Sequence, residues 1–324
     1  MKNFKKYFSQ MLLLSPFMMG YMIVFMMTMF IALDRDNYLF MMQYPFEGRE
    51  EPLIHIISYL LGFLNNLPSL KLVLLQIFFT TLLLLVIIKN EGIGRNSNFL
   101  KVIISFLLFI SVFSNMLSVQ LRIGYATIIF IFISLFLDKE PKLRNIPYYL
   151  LPCLMHMGAV PVVIAYYTIN FLKINSYKKF VIVFLLSIGI MTLGVKFLPE
   201  IMTQIGINGY YNDYLETEGD FGRAFPFTMF FYFVLILISL FKFESFKFDQ
   251  SYYFSLFGLV LVYNAIILKL YVSFKMLVPF SAFFTIYLFN AININNQYTK
   301  AGTIILIMLL IPLSFFMLIT QAGL

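Results

Sequence analysis

The chain has 324 residues, of which 61% are hydrophobic and only 12% charged, with a formal net charge of +8. That excludes a soluble globular domain of this length: several continuous apolar runs of about 20 residues each fit membrane-spanning helices. Because the runs are continuous and not alternating, a β-barrel is excluded as well. The expected fold class is an all-α polytopic integral membrane protein, one membrane domain over 1–324. The positive balance is read as basic residues on cytoplasmic loops, with no nucleic acid as partner. Membrane lipids with acidic headgroups and a phosphate-bearing ligand stay open as partners. The single cysteine, Cys153, permits no internal disulfide and is expected as a small core residue.

Residues 11–33 form an expected first span. They follow Lys2, Lys5 and Lys6 and contain no small-residue cleavage site, so the span is read as uncleaved with a cytoplasmic N-terminus. Residues 34–51 then make an outer loop. The apolar stretch 52–64 is too short to cross about 30 Å of hydrocarbon and is expected as an interfacial or re-entrant segment. Residues 67–88 return the chain to the inner side, marked by Lys89, Arg95 and Lys101. Residues 99–118 go out and 123–137 come back, which leaves Arg122 at the outer side and Lys139, Lys142 and Arg144 at the inner.

Residues 147–171 admit two forms, one span or two half-helices meeting near His156 with both ends inside. The flanking charges favour the pair, because it keeps Lys173, Lys178 and Lys179 inside and the acidic loop 199–224 outside. Pro152, Gly158 and Pro161 supply the breaks. Irregular backbone at membrane depth needs surrounding protein or a wet cavity, so the pair implies a cavity at His156, near the bilayer midplane. Further spans are expected at 180–198, 225–241, 252–270, 274–290 and 303–320, for about 10–12 membrane segments in all, counting short and broken ones. Under this topology most of the 23 basic residues lie inside and most of the 15 acidic ones outside.

A charge in or beside a span is costly and calls for a partner or a task. Arg122 offers a planar cationic fork suited to phosphate or carboxylate, or else snorkels to headgroups. His156, at a helix break, suits a base or a phosphate donor, or else bonds a freed backbone carbonyl. Glu51 precedes Pro52, where a carboxylate complements a helix N-terminus, and shares a face with His55. A carboxylate facing an outer pocket is the functional alternative. Arg223 opens the span after the acidic loop, and Lys269 and Lys275 lie around a turn within reach of a phosphate or snorkelling. In that loop Tyr210, Tyr211, Asp213 and Tyr214 combine aromatic rings and a carboxylate, which suit a sugar as well as a solvated interface. No Walker A, zinc-ligand or Gly-x-Ser-x-Gly spacing is present, which speaks against ATP hydrolysis.

Two blocks carry a family resemblance. DRDNYLFMMQYPFEGREEPLIHIISYLLGFL resembles the outer loop and Glu-Pro segment of EpsG/Wzy-type polysaccharide polymerases. VQLRIGYATIIFIFISLFLDKEPKLRNIPYYLLPCLMHMGAVPVV resembles their arginine-starting span, basic turn and broken histidine segment. Arg122-Ile-Gly-Tyr-Ala126 stands where many members have Arg-Gln or Arg-x-x-Ala, His156-Met-Gly158 where many have His and a small polar residue two on, and Lys275 where relatives tend to have arginine.

The resemblance implies a GT-C-like membrane glycosyltransferase of the bacterial inner membrane with its active site facing the periplasm. It would join undecaprenyl-pyrophosphate-linked oligosaccharide repeat units in O-antigen or exopolysaccharide assembly. No cofactor and no metal would be needed, and a chain-length regulator protein would be a partner. Arg122, Arg223 and Lys275 would hold the pyrophosphate, and His156 or Glu51 would take the acceptor proton. A lipid-linked oligosaccharide flippase and an O-antigen ligase are the alternatives.

Overall fold

In the computed structural model the described residues are 35–44, 52–89, 120–137, 142–174 and 176–204. Isolated residues are also described within 15–30, 103–117, 253–285 and 304–319. Every regular element among the described residues is helical.

Helix α1, Arg35–Gln43, carries Asp36 in its first turn, where a carboxylate complements the helix dipole. It lies within the expected outer loop 34–51, so that loop is helical over part of its length. Helix α2, Pro52–Leu60, starts on proline, whose missing N–H costs nothing in the first turn. At about 14 Å it is indeed too short to cross a bilayer, and a 3-10 turn, Gly62–Leu64, follows it. Helix α3, Pro68–Lys89, also starts on proline and runs about 33 Å. Its Pro68–Val86 portion is, among the described residues, the one helix long and apolar enough to cross a membrane by length and composition.

Helix α4, Leu121–Phe132, is the centre of the core. Nine of its 12 residues are buried, and it runs into a π-helical turn, Ile133–Leu137. The expected span at 123–137 therefore starts two residues early, which puts Arg122 inside the first helical turn. A close approach fixes that start. A Cβ on Gly124 would overlap the carbonyl oxygen of Met116, so the incoming chain lies directly against the helix, and only glycine leaves the space.

The stretch 143–171 is broken four ways. A 3-10 helix, Leu143–Tyr149, leads into helix α5, Leu150–Met155. His156 then adopts an extended conformation, φ −159° and ψ 126°, and a 3-10 turn, Met157–Ala159, leads into helix α6, Val160–Phe171. A straight run would separate Tyr149 from Tyr166 by about 25 Å. Their ring centroids are 5.8 Å apart, those of Tyr149 and Tyr167 are 5.3 Å apart, and the Tyr167 hydroxyl donates to the Lys142 carbonyl at 3.3 Å. The chain therefore doubles back at His156, as the flanking charges led one to expect.

Helix α6 closes with a paired cap. The Ile174 N–H reaches the Ile169 carbonyl at 3.0 Å and the Lys173 N–H the Asn170 carbonyl at 3.1 Å, with Lys173 at φ 47°. Helix α7, Tyr177–Gln204, spans 28 residues, so the segment 199–204, expected in the acidic outer loop, continues the helix.

A ring cluster joins these elements. Phe130 of α4 meets Tyr149 at 5.9 Å, Tyr166 at 5.4 Å and Phe254 at 5.8 Å, and Phe254 meets Phe283 at 4.9 Å. Outside the core, whole apolar faces are uncovered. Ile182, Leu186, Ile190 and Leu193 of α7 are all exposed, as are Leu74, Phe78 and Leu85 of α3. Most of the expected spans at 225–241, 252–270, 274–290 and 303–320 lies outside the described residues.

Candidate functional site

The hairpin of α5 and α6 is held at two levels. Its open end, at Tyr149 and Tyr166, sits beside Phe130. Its tip sits at the opposite end of α4: a Cβ on Gly158 would come within 3.2 Å of Ile123 Cδ1. Arg122 and Ile123 are adjacent, and Phe130 lies about 12 Å further along the helix. The tip carrying His156 is thus level with the first turn of α4. It is not level with the middle of that helix, where Phe130 lies.

A side-chain bond shapes the tip. Nδ1 of His156 accepts from the Gly158 N–H at 2.9 Å. The donor is a backbone N–H two residues on. A neutral imidazole accepting at Nδ1 carries its proton on Nε2, so its second nitrogen is a donor. Gly158 makes the arrangement possible, since a Cβ there would stand 2.8 Å from the same Nδ1. The His156 side chain is half-buried.

Arg122 is half-buried as well, on a helix start held from two sides. The Leu121 N–H donates to the hydroxyl of Tyr38, on α1, at 3.0 Å. From α3, the buried Gln76 amide donates to the Leu117 carbonyl at 2.5 Å and accepts from the Tyr125 hydroxyl at 2.6 Å. Tyr125 in turn stacks on Phe79, with centroids 4.1 Å apart. A buried polar network with its members satisfied holds one geometry, which is what a cationic side chain needs to meet a ligand reproducibly.

The structure thus brings two of the sequence-derived site residues, Arg122 and His156, to one level. Glu51 immediately precedes α2 and itself lies outside the described residues. So do Arg223, Lys275, Tyr210, Tyr211, Asp213 and Tyr214, together with Lys269. His55 is half-buried on α2, and Cys153 is half-buried on α5.

Several residues that build the site were given no role from sequence. Lys71, Gln76 and Thr80 share the buried face of α3 with Leu72, Leu75, Phe79 and Leu83. Polar residues interrupting an apolar span on one helical face point into protein, and that periodicity was the available signal. Asp34-Arg35-Asp36 is a further spacing, two carboxylates two residues apart. Asp36 is exposed and pairs with Arg35 at 3.1 Å, while Asp34 lies outside the described residues. Among the described residues no three His, Cys, Asp or Glu side chains gather as a metal site would require.

No family model, no curated protein and no solved structure matches the chain.

Proposed function

We propose that the chain is a multi-pass inner-membrane glycosyltransferase that polymerises lipid-pyrophosphate-linked oligosaccharide repeat units at the periplasmic face. The observation that carries this reading is the meeting of the His156 hairpin tip with the first turn of α4 that bears Arg122. The uncovered apolar faces of α3 and α7 support a lipid surround, since soluble monomers rarely leave such contiguous patches open. The resemblance of residues 34–64 and 119–163 to EpsG/Wzy-type polymerases supports the substrate class.

The chemistry asks for few parts. The acceptor hydroxyl oxygen bonds to the anomeric carbon of the donor glycan. The bond from that carbon to the pyrophosphate oxygen breaks, and the lipid pyrophosphate leaves with the electron pair. Charge develops on that leaving oxygen, and fixed donors aimed at it lower the barrier. Arg122 supplies a permanent cation and His156 an Nε2–H, with Arg223 and Lys275 as further cations from the later spans. With Nδ1 of His156 engaged by Gly158, the proton acceptor is better sought in Glu51 than in the imidazole. Tyr210, Tyr211, Asp213 and Tyr214 would receive the glycan. Two lipid-anchored substrates share one membrane plane, which lowers the orientational cost of bringing them together.

The lipopolysaccharide ladder of a deletion strain tests the reading. The expected result is loss of the long-chain rungs, single repeats on the lipid A core, and lipid-linked repeats accumulating on the periplasmic side. Accumulation on the cytoplasmic side would instead make the protein a flippase, and a core with no repeat at all would make it a ligase.

A further inference from the structure

Lys71 is the most completely buried charged side chain among the described residues, at 0% exposure. It is placed one turn into α3 and its ammonium reaches three acceptors. Nζ donates to the Met42 carbonyl at 2.9 Å, the Ser58 carbonyl at 3.1 Å and Asn65 Oδ1 at 2.6 Å. Three donors with three acceptors is the full capacity of an ammonium group. Met42 lies in the last turn of α1, where carbonyls lack helical partners and a cation complements the dipole. The same carbonyl also takes the Ser58 hydroxyl at 3.0 Å. One side chain therefore ties together the end of α1, the end of α2, the turn at Asn65 and the start of α3. One turn earlier on the same face of α1, Tyr38 is buried, and its hydroxyl takes the Leu121 N–H next to Arg122.

We infer that Lys71 is a positioning residue for Arg122, acting through α1 and the Tyr38 hydroxyl. The ammonium fixes α1 against α3, and α1 in turn holds the first turn of α4 in place. The helix start is thereby held at the level of the His156 tip. No ligand needs to touch Lys71 for this. Its effect on turnover rests on the proposed role of Arg122, whereas its effect on the helix start does not.

Hydrogen exchange on the full-length protein in lipid nanodiscs tests it, comparing wild type with Lys71→Met and Tyr38→Phe. Amides at 119–126 should exchange about five- to tenfold faster in both variants, the factor that one hydrogen bond of ordinary net strength is worth. Amides of Val160–Phe171, held by the ring cluster, should be unchanged. The double variant should add little to either single one, because both cut the same chain of contacts. Tyr38→Phe removes one oxygen atom, so it keeps the test open if Lys71→Met does not fold. Unchanged exchange at 119–126 in Tyr38→Phe, or in a folded Lys71→Met, overturns the inference. So does acceleration spread evenly over Val160–Phe171, which marks general loosening. Accelerated exchange with normal polymer would leave the positioning intact and defeat the proposed role of Arg122.

Discussion

Replacing Arg122 with alanine is expected to abolish long-chain polymer while the protein still reaches the membrane at normal abundance. Removing one donor from a developing oxyanion costs roughly 100- to 1,000-fold in turnover. A polymer built by repeated transfer multiplies any loss per step, so the long rungs of the ladder should disappear entirely. Stability should hold. In the variant the bonds from Leu121 to Tyr38 and from Tyr125 to Gln76 remain to fix this end of α4. Alanine is also the better helix former. Immunoblotting of membranes beside the gel ladder separates the two effects. A normal ladder at normal abundance would remove Arg122 from the mechanism.

Gly124→Ala should have the opposite signature, loss of the folded protein itself. The added Cβ would overlap a backbone oxygen, that of Met116, and would also stand 2.8 Å from Met116 Cγ. A flexible side chain can swing away, but a backbone carbonyl moves only with its chain. Relief requires either the incoming segment or the first turn of α4 to shift, and both are tied through Gln76 to α3. The cost should exceed about 3 kcal/mol, beyond ordinary overpacking. Thermal unfolding of detergent-solubilised protein, or its steady-state level in membranes, reads this directly. Gly62→Ala is the control, because the nearest atom to its added Cβ is the side-chain nitrogen of Asn65 at 3.9 Å. Equal stability of Gly124→Ala and the control would contradict the close approach.

How much of this could be read from the chain alone varies with the physics of each part. The break at His156 was legible, because proline and glycine alter the backbone wherever they stand. That the broken segment folds back was legible only through lysines on its flanks. Its level along α4 was not: that level is set by Ile123 against Gly158 at one end and by the Phe130 ring cluster at the other, contacts between distant stretches of sequence. The shortness of Pro52–Leu60 followed from counting residues, whereas the helix at Arg35–Gln43 was hidden by its polar composition. Lys71 lies in an apolar run of sequence that assigns it no task. Its three acceptors come from two other helices and a turn, and no local pattern announces them.

In the proposed function Arg122 and His156 serve one diphosphate group. Binding of undecaprenyl pyrophosphate to the purified protein, to Arg122→Ala, to His156→Ala and to the double variant tests it most directly. If both side chains grip the same group, each single change weakens binding by about tenfold or more, and the double variant loses less than the product of the two. Wild-type affinity in either single variant would contradict the claim.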